Sequence, residues 1–196
     1  MKKPQDKKST IQEQPATYDD YAQLPDDGRR YELAAGALEL MSPAPTPKHQ
    51  VICSRLLSTL MGSCENEYIS VVSPIDLILA NTEVRQPDLI MIHRNNKEII
   101  TQRGIEGTPD LVAEILSPHS IKRDKQDKLY TYEDYQIPEY WIVDPANETL
   151  EQYVLTEQHY KLENIFEKKD NVHSERIPCV FFAMEQILDA AGDLPG

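Results

Sequence analysis

The chain has 196 residues, with 20 Lys and Arg against 33 Asp and Glu, for a formal net charge of −13. That length suits one domain, or one domain with an appendage, and is long enough to bury a core without the help of disulfides or metals. Residues 1–30 hold six basic and six acidic groups, so the whole deficit falls on 31–196; a surface of that sign repels phosphate and excludes a general nucleic-acid coat protein.

Residues 1–15 are Lys, Gln, Ser and Pro with almost nothing apolar, and read as a disordered tail ahead of a single domain over 16–196. The N-terminus lacks the apolar stretch of a signal peptide, and no apolar run anywhere approaches the roughly 18 residues of a membrane helix. The expectation is a cytoplasmic protein with no membrane contact. Thr17 caps a short helix running to Leu24, with Asp19 and Asp20 at its positive end, and Pro25-Asp26-Asp27-Gly28 is a turn. Tyr31–Leu33 and Ala37–Met41 flank Ala34-Ala35-Gly36 as a hairpin.

From Thr46 to about Glu67, Val51, Ile52, Leu56, Leu57, Leu60, Met61 and Cys64 recur at helical spacing on one face. Cys53 lies beside this stripe and Cys64 falls on it, where a cysteine packs as a small hydrophobe rather than serving as a nucleophile. The three cysteines (Cys53, Cys64, Cys179) show no CxxC spacing, so neither a disulfide framework nor a zinc site is expected, as befits a reducing compartment. Strand-like runs follow at Ile69–Ser73, Ile75–Leu79, Asp88–His93, Asp110–Leu116 and Tyr140–Asp144, with a helix over Ser120–Tyr135 between the last two. Leu150–Leu155, Tyr160–Asn164 and Pro178–Met184 close the domain, Phe181 to Leu188 packing as a strand and helix. The fold class is α/β or α+β, with a mixed sheet flanked by helices.

Two strands open with Pro-Asp, at Asp88 and Asp110, because proline is tolerated at the start of a strand but not in a central one. Asp88 therefore sits at a strand end, where a side chain reaches a cleft. Glu114 lies between Ala113 and Ile115 in an apolar strand and shares a face with Val112 and Leu116. A carboxylate there is costly unless it is paired, protonated or bound to a cation. Two readings stand: a salt bridge to a buried Arg or Lys, or, together with Asp88, an oxygen-ligand site for a hard cation such as Mg²⁺. Asp124 and Lys128, four apart, share a helix face in the locally basic stretch Ile121–Tyr130. The aromatic cluster Tyr130, Tyr132, Tyr135, Tyr140 and Trp141 reads as core or interface.

The ordered set YEL-AAG-ALELMSPAPTPKHQ, RQPDLIMI and GTPDLVAEILSPHSIKRDKQDKLYTYEDYQIPEYWIVDP resembles the Uma2 (DUF820-type) family from about Tyr18 to Tyr153. That family is grouped with the restriction-endonuclease-like PD-(D/E)xK proteins. The resemblance implies a restriction-endonuclease-like mixed sheet flanked by helices, with an N-terminal hairpin and extra C-terminal strands. It implies Mg²⁺-dependent hydrolysis of DNA phosphodiesters, with Mn²⁺ as a substitute. Asp88, Glu114, Lys128 and Glu32 are the implied catalytic residues, and Asp88, Glu114 and the Ile115 carbonyl the implied metal ligands. His49, Lys122, Arg123 and Lys125 are implied to contact substrate, with Asp124 and Gln126 in support. The superfamily's E-x-K lysine is absent, because Leu116 stands there, and Lys128 from the following helix takes its place. A homodimer is the implied assembly, with room for a protein partner that supplies positive charge. The alternative is a catalytically inactive module of the same fold that binds DNA or a protein.

Overall fold

In the computed structural model, residues 14–118 and 120–195 are described, so the expected tail falls almost wholly outside the described residues. Helix α1 (Tyr18–Ala22) starts at Thr17, whose hydroxyl accepts from the Asp20 amide while Asp20 returns a bond to the Thr17 amide, a reciprocal cap. Strands β1 (Tyr31–Ala34) and β2 (Ala37–Leu40) pair antiparallel with Ala34 opposite Ala37. The two turn residues, Ala35 at φ 47° and Gly36 at φ 81°, both take left-handed backbone, which matches the twist of a two-residue hairpin. Helix α2 (Pro47–Cys64) is capped by Thr46 and begins with proline, whose missing N–H costs nothing there.

Strands β3 (Tyr68–Val72), β4 (Leu77–Ala80), β5 (Glu83–Arg85), β6 (Leu89–His93), β7 (Ile105–Glu106) and β8 (Leu111–Ile115) follow. Helix α3 (Lys128–Asp134) then leads to β9 (Glu139–Asp144), β10 (Thr149–Thr156), β11 (His159–Glu167), β12 (Asn171–His173), β13 (Phe181–Ala183) and helix α4 (Met184–Leu188). They form a six-stranded mixed sheet in the order β11-β10-β9-β8-β6-β3 and a five-stranded sheet in the order β2-β1-β5-β4-β7. A small β12–β13 pair completes them. Strands β8 and β9 are parallel, which requires the α3 crossover between them.

The six-stranded sheet is covered on both faces, so β8 is buried along its whole length. Leu111, Ala113 and Ile115 pack with Ile52, Leu56 and Leu60 of α2 and with Ile187 and Leu188 of α4. Val112 and Leu116 face the other way, into a layer with Leu77, Ile105, Tyr132 and Ile137. Glu114 belongs to this second face, between the sheet and α3, as strand alternation requires.

Three expectations are corrected. Strands β5, β7 and β12 are additional, because runs of two or three residues are too short for alternation to stand out from the loops around them. The Ser120–Tyr135 helix is not uniform: Arg123–Asp127 form a π-helical turn in which the Lys128 N–H bonds the Arg123 carbonyl. The Asp124 carbonyl that an α-helix would use instead accepts the Tyr140 hydroxyl, at 3.1 Å. The cysteines do not all stay free: Cys64 at the end of α2 and Cys179 ahead of β13 form a disulfide across 115 residues, with Cα atoms 5.3 Å apart. Packing of α4 and its strand against α2 brings them together, and no spacing along the chain could signal it. The cysteine-based ground for a reducing compartment falls with that pairing.

Candidate active site

The antiparallel register that sets Leu89 opposite Ala113 carries Asp88, one residue earlier, alongside Glu114, one residue later. The Ile115 N–H donates to Asp88 Oδ2 at 2.8 Å, and His49 Nε2 lies 3.0 Å from the same oxygen. His49 is presented by the first turn of α2, where Thr46 accepts its amide, and its Nδ1 is buried without a hydrogen-bond partner. Glu114 Oε1 accepts from Lys128 Nζ at 2.6 Å and from the Tyr132 hydroxyl at 3.0 Å. Each carboxylate is thus fixed through one oxygen. Asp88 Oδ1 and Glu114 Oε2 take no hydrogen bond among the described residues, and both residues line one cleft with Ile115, His49, Ser117, Ser120, Arg123 and Lys128.

Lys128 is the hub. Its ammonium lies 2.6 Å from Glu114, 3.5 Å from Glu32 and 3.6 Å from Asp124, and it is almost wholly buried. Burial alone would lower its pKa, but these three carboxylates raise it above the ordinary lysine value, so it stays charged. Glu114 is pushed well above the carboxylate range, first by burial and then by Asp124 and Asp88, although Lys128 opposes the shift. Burial also works against an ionised Glu32, yet Lys128, the Gln86 amide and Arg85 more than offset it and leave its pKa low.

Glu32 does not reach the cleft. It is fully buried behind Lys128, with Oε1 accepting the Gln86 N–H at 2.9 Å and Oε2 3.7 Å from Arg85 Nη1. Arg85 in turn donates to Glu83 at 2.6 Å and to the Thr131 hydroxyl at 3.2 Å. Sequence reasoning missed Arg85, Glu83 and the Tyr132 contact. The Glu-Val-Arg alternation, which sends two charges to one face of a strand, was the only signal for the first two.

Of the substrate-contact candidates, His49 and Arg123 come to the cleft. Arg123 Nε is buried without a hydrogen-bond partner, 3.9 Å from Asp124 Oδ1. Lys125 turns away to pair with Glu151 at 2.6 Å, and Lys122 and Gln126 point to solvent, outside the cluster. A single helical turn cannot face one cleft with every residue. Cys53 is buried against the Asp88 carbonyl, 3.6 Å away, and its thiol is pushed up to about 12 by burial and then by Asp88 and Glu114, which disfavours the thiolate a nucleophile needs.

The free carboxylate oxygens of Asp88 and Glu114 suit a hard divalent cation. Among the described residues no three His, Cys, Asp or Glu side chains converge as a ready-made ligand set. Two carboxylate oxygens and the Ile115 carbonyl, completed by water, still match a small cation that keeps much of its hydration. Among the described residues no helix is long and apolar enough to cross a membrane.

The chain matches the Uma2 family model, described as "Putative restriction endonuclease", over residues 18–185. Among solved structures it is similar to "a putative nuclease belonging to DUF820" from Anabaena variabilis ATCC 29413. The TM-score is 0.72 at 18% identity, with 90% of this chain and 99% of that chain covered. At that identity the likeness speaks for the fold. It agrees with a nuclease-like mixed sheet flanked by helices. No curated protein matches the sequence.

Proposed function

Because this chain belongs to the Uma2 family, we propose that it is a Mg²⁺-dependent deoxyribonuclease whose active site is the Asp88–Glu114–Lys128 cleft. The observation that carries this reading is the division of labour within each carboxylate: one oxygen is immobilised by protein donors and the other is left to the cleft. Asp88, Glu114 and the Ile115 carbonyl would hold the cation, with Mn²⁺ able to substitute. The chemistry such a cation would supply there is polarisation of a phosphate oxygen and a lowered pKa for a bound water.

The protein's own groups do the rest. Lys128 orients the attacking water and offsets charge on the phosphate in the transition state, as a point cation in a low-dielectric site. Glu32 and Asp124 fix the ammonium in place, so Glu32 acts through Lys128 rather than as a ligand. The Tyr132 hydroxyl and the Ile115 amide hold the two metal-binding carboxylates at a set orientation, and Arg123 and His49 border the phosphate. Water adds across a P–O bond, leaving a phosphomonoester end and a hydroxyl end.

The test is titration calorimetry with Mg²⁺ and Mn²⁺ on wild type and Glu114→Gln, followed by plasmid nicking with the same preparations. Binding and nicking in wild type that both fail in Glu114→Gln support the metal nuclease. Metal binding without nicking points to another phosphoester. Absence of binding points to the second reading, a non-catalytic module, which the net charge of −13 and Leu116 in the E-x-K position favour.

A further inference from the structure

Arg30 stands at the mouth of the same cleft and has no part in the carboxylate–lysine cluster. Its neighbour Arg29 is paired with Asp27, but Arg30 makes no ion pair among the described residues. Neutral side chains hold it instead: Nε donates to Gln86 Oε1 at 3.0 Å and Nη2 donates to Ser73 Oγ at 2.8 Å.

Both anchors are themselves fixed. The Gln86 amide nitrogen donates to the Tyr21 hydroxyl at 2.9 Å and to Asp76 at 2.8 Å, which turns Oε1 toward Arg30. The Gln86 backbone N–H holds Glu32, and the Ser73 N–H bonds the Asp88 carbonyl at 3.1 Å. The guanidinium is therefore oriented by residues that also tie down Glu32 and Asp88, two members of the proposed site. Both N–H groups of Nη1 remain without a protein partner among the described residues. In an acidic chain, an exposed guanidinium pre-set in this way beside a cleft offers its two Nη1 N–H groups to a phosphate, with little ordering entropy left to lose on contact.

We propose that Arg30 is a substrate-positioning residue that grips a nucleic-acid phosphate beside the scissile one. The proposal rests on the nuclease reading above and adds the residue that gives an acidic protein a phosphate contact on the Asp88 side, while Arg123 serves the Lys128 side. Gln86 acts through Arg30 by aiming it.

The experiment measures binding of a short fluorescein-labelled duplex by anisotropy over a range of salt, with Ca²⁺ in place of Mg²⁺. Wild type, Arg30→Ala, Arg30→Gln and Arg30→Lys are compared, and Mn²⁺ affinity and melting temperature are measured on each. The expected result is a Kd about tenfold weaker for Arg30→Ala and Arg30→Gln, with the slope of log Kd against log salt reduced by about one. Arg30→Lys recovers the slope and part of the affinity, and Mn²⁺ affinity is unchanged in all. If wild type binds the duplex and the two uncharged variants match it in Kd and slope, the Arg30 assignment is overturned while the nuclease reading stands. If wild type neither binds the duplex nor nicks DNA, the nuclease reading fails and Arg30 falls with it.

Discussion

Glu114 and Lys128 form a buried pair, and the two partners do not contribute equally to stability. Removing the ammonium leaves Glu114, Glu32 and Asp124 facing one another with the guanidiniums of Arg85 and Arg123 as the nearby cations among the described residues. Uncompensated buried charge costs about 3–5 kcal/mol, so Lys128→Met is expected to lose that much in urea denaturation. Glu114→Gln removes a carboxylate whose pKa is held high first by burial and then by Asp124 and Asp88, and is expected to change stability by less than about 1 kcal/mol or to raise it. A reversed order of the two variants would mean that Glu114, not Lys128, is the group the cluster depends on. Glu114 was legible from alternation in an apolar strand, and Lys128 from its four-residue spacing to Asp124. Arg85 was not, because it meets Glu32 only once β1 and β5 pair.

At the scale of elements, two carboxylates join segments that hydrophobic patterning left apart. Glu133, near the end of α3, accepts the Tyr160 amide of β11 and lies 3.2 Å from His159 Nδ1. The Tyr160 bond is the main cause of its lowered pKa. A carboxylate with a depressed folded pKa contributes stability that is fully present above its ordinary value and is lost as pH falls through the folded one. The gap in melting temperature between wild type and Glu133→Gln should therefore be open at neutral pH and close on acidification through the carboxylate range. A gap that persists below that range would show that the amide serves equally well. Glu139, fully buried at the start of β9, accepts from Trp141 and Gln152 at 2.6 Å and from Ser174 at 2.7 Å. Ser174 also accepts the Arg176 and Ile177 amides, so it fastens the loop before β13 to the sheet. Ser174→Ala strips a donor from a buried carboxylate and should cost about 1–3 kcal/mol by urea denaturation. A cost near zero would mean that water replaces the hydroxyl.

For the whole molecule, the six-stranded sheet is the partition. Its α2 and α4 face holds one apolar core, and its other face holds a second apolar layer, in which the Glu114–Lys128 cluster is set beneath α3. The Cys64–Cys179 disulfide crosses the apolar side and ties α2 to the C-terminal segment. A loop of that length closed by a bond is expected to add about 2–5 kcal/mol. Dithiothreitol should lower the urea midpoint, and Cys64→Ala should match the reduced wild type. An unchanged midpoint on reduction would argue that the two thiols merely touch. In the proposed reading Mg²⁺ would bind on the opposite side, and a cation that binds only the folded chain should raise the melting temperature of wild type but not of Glu114→Gln.

The sequence by itself determined the periods and the chemistry: a capped amphipathic α2, a strand with one carboxylate among apolar residues, a lysine one turn from an aspartate, and the family those residues belong to. These are properties of a few consecutive positions, and a chain's local geometry is fixed over just that range. The tertiary structure decided which groups meet. It put Glu32 behind Lys128 instead of in the cleft, sent Lys125 to Glu151, brought Arg85 and Tyr132 into the cluster, and joined two cysteines 115 residues apart. Those pairings follow from how sheets and helices stack to bury apolar surface, and a buried charge then takes whichever opposite charge that stacking brings within reach.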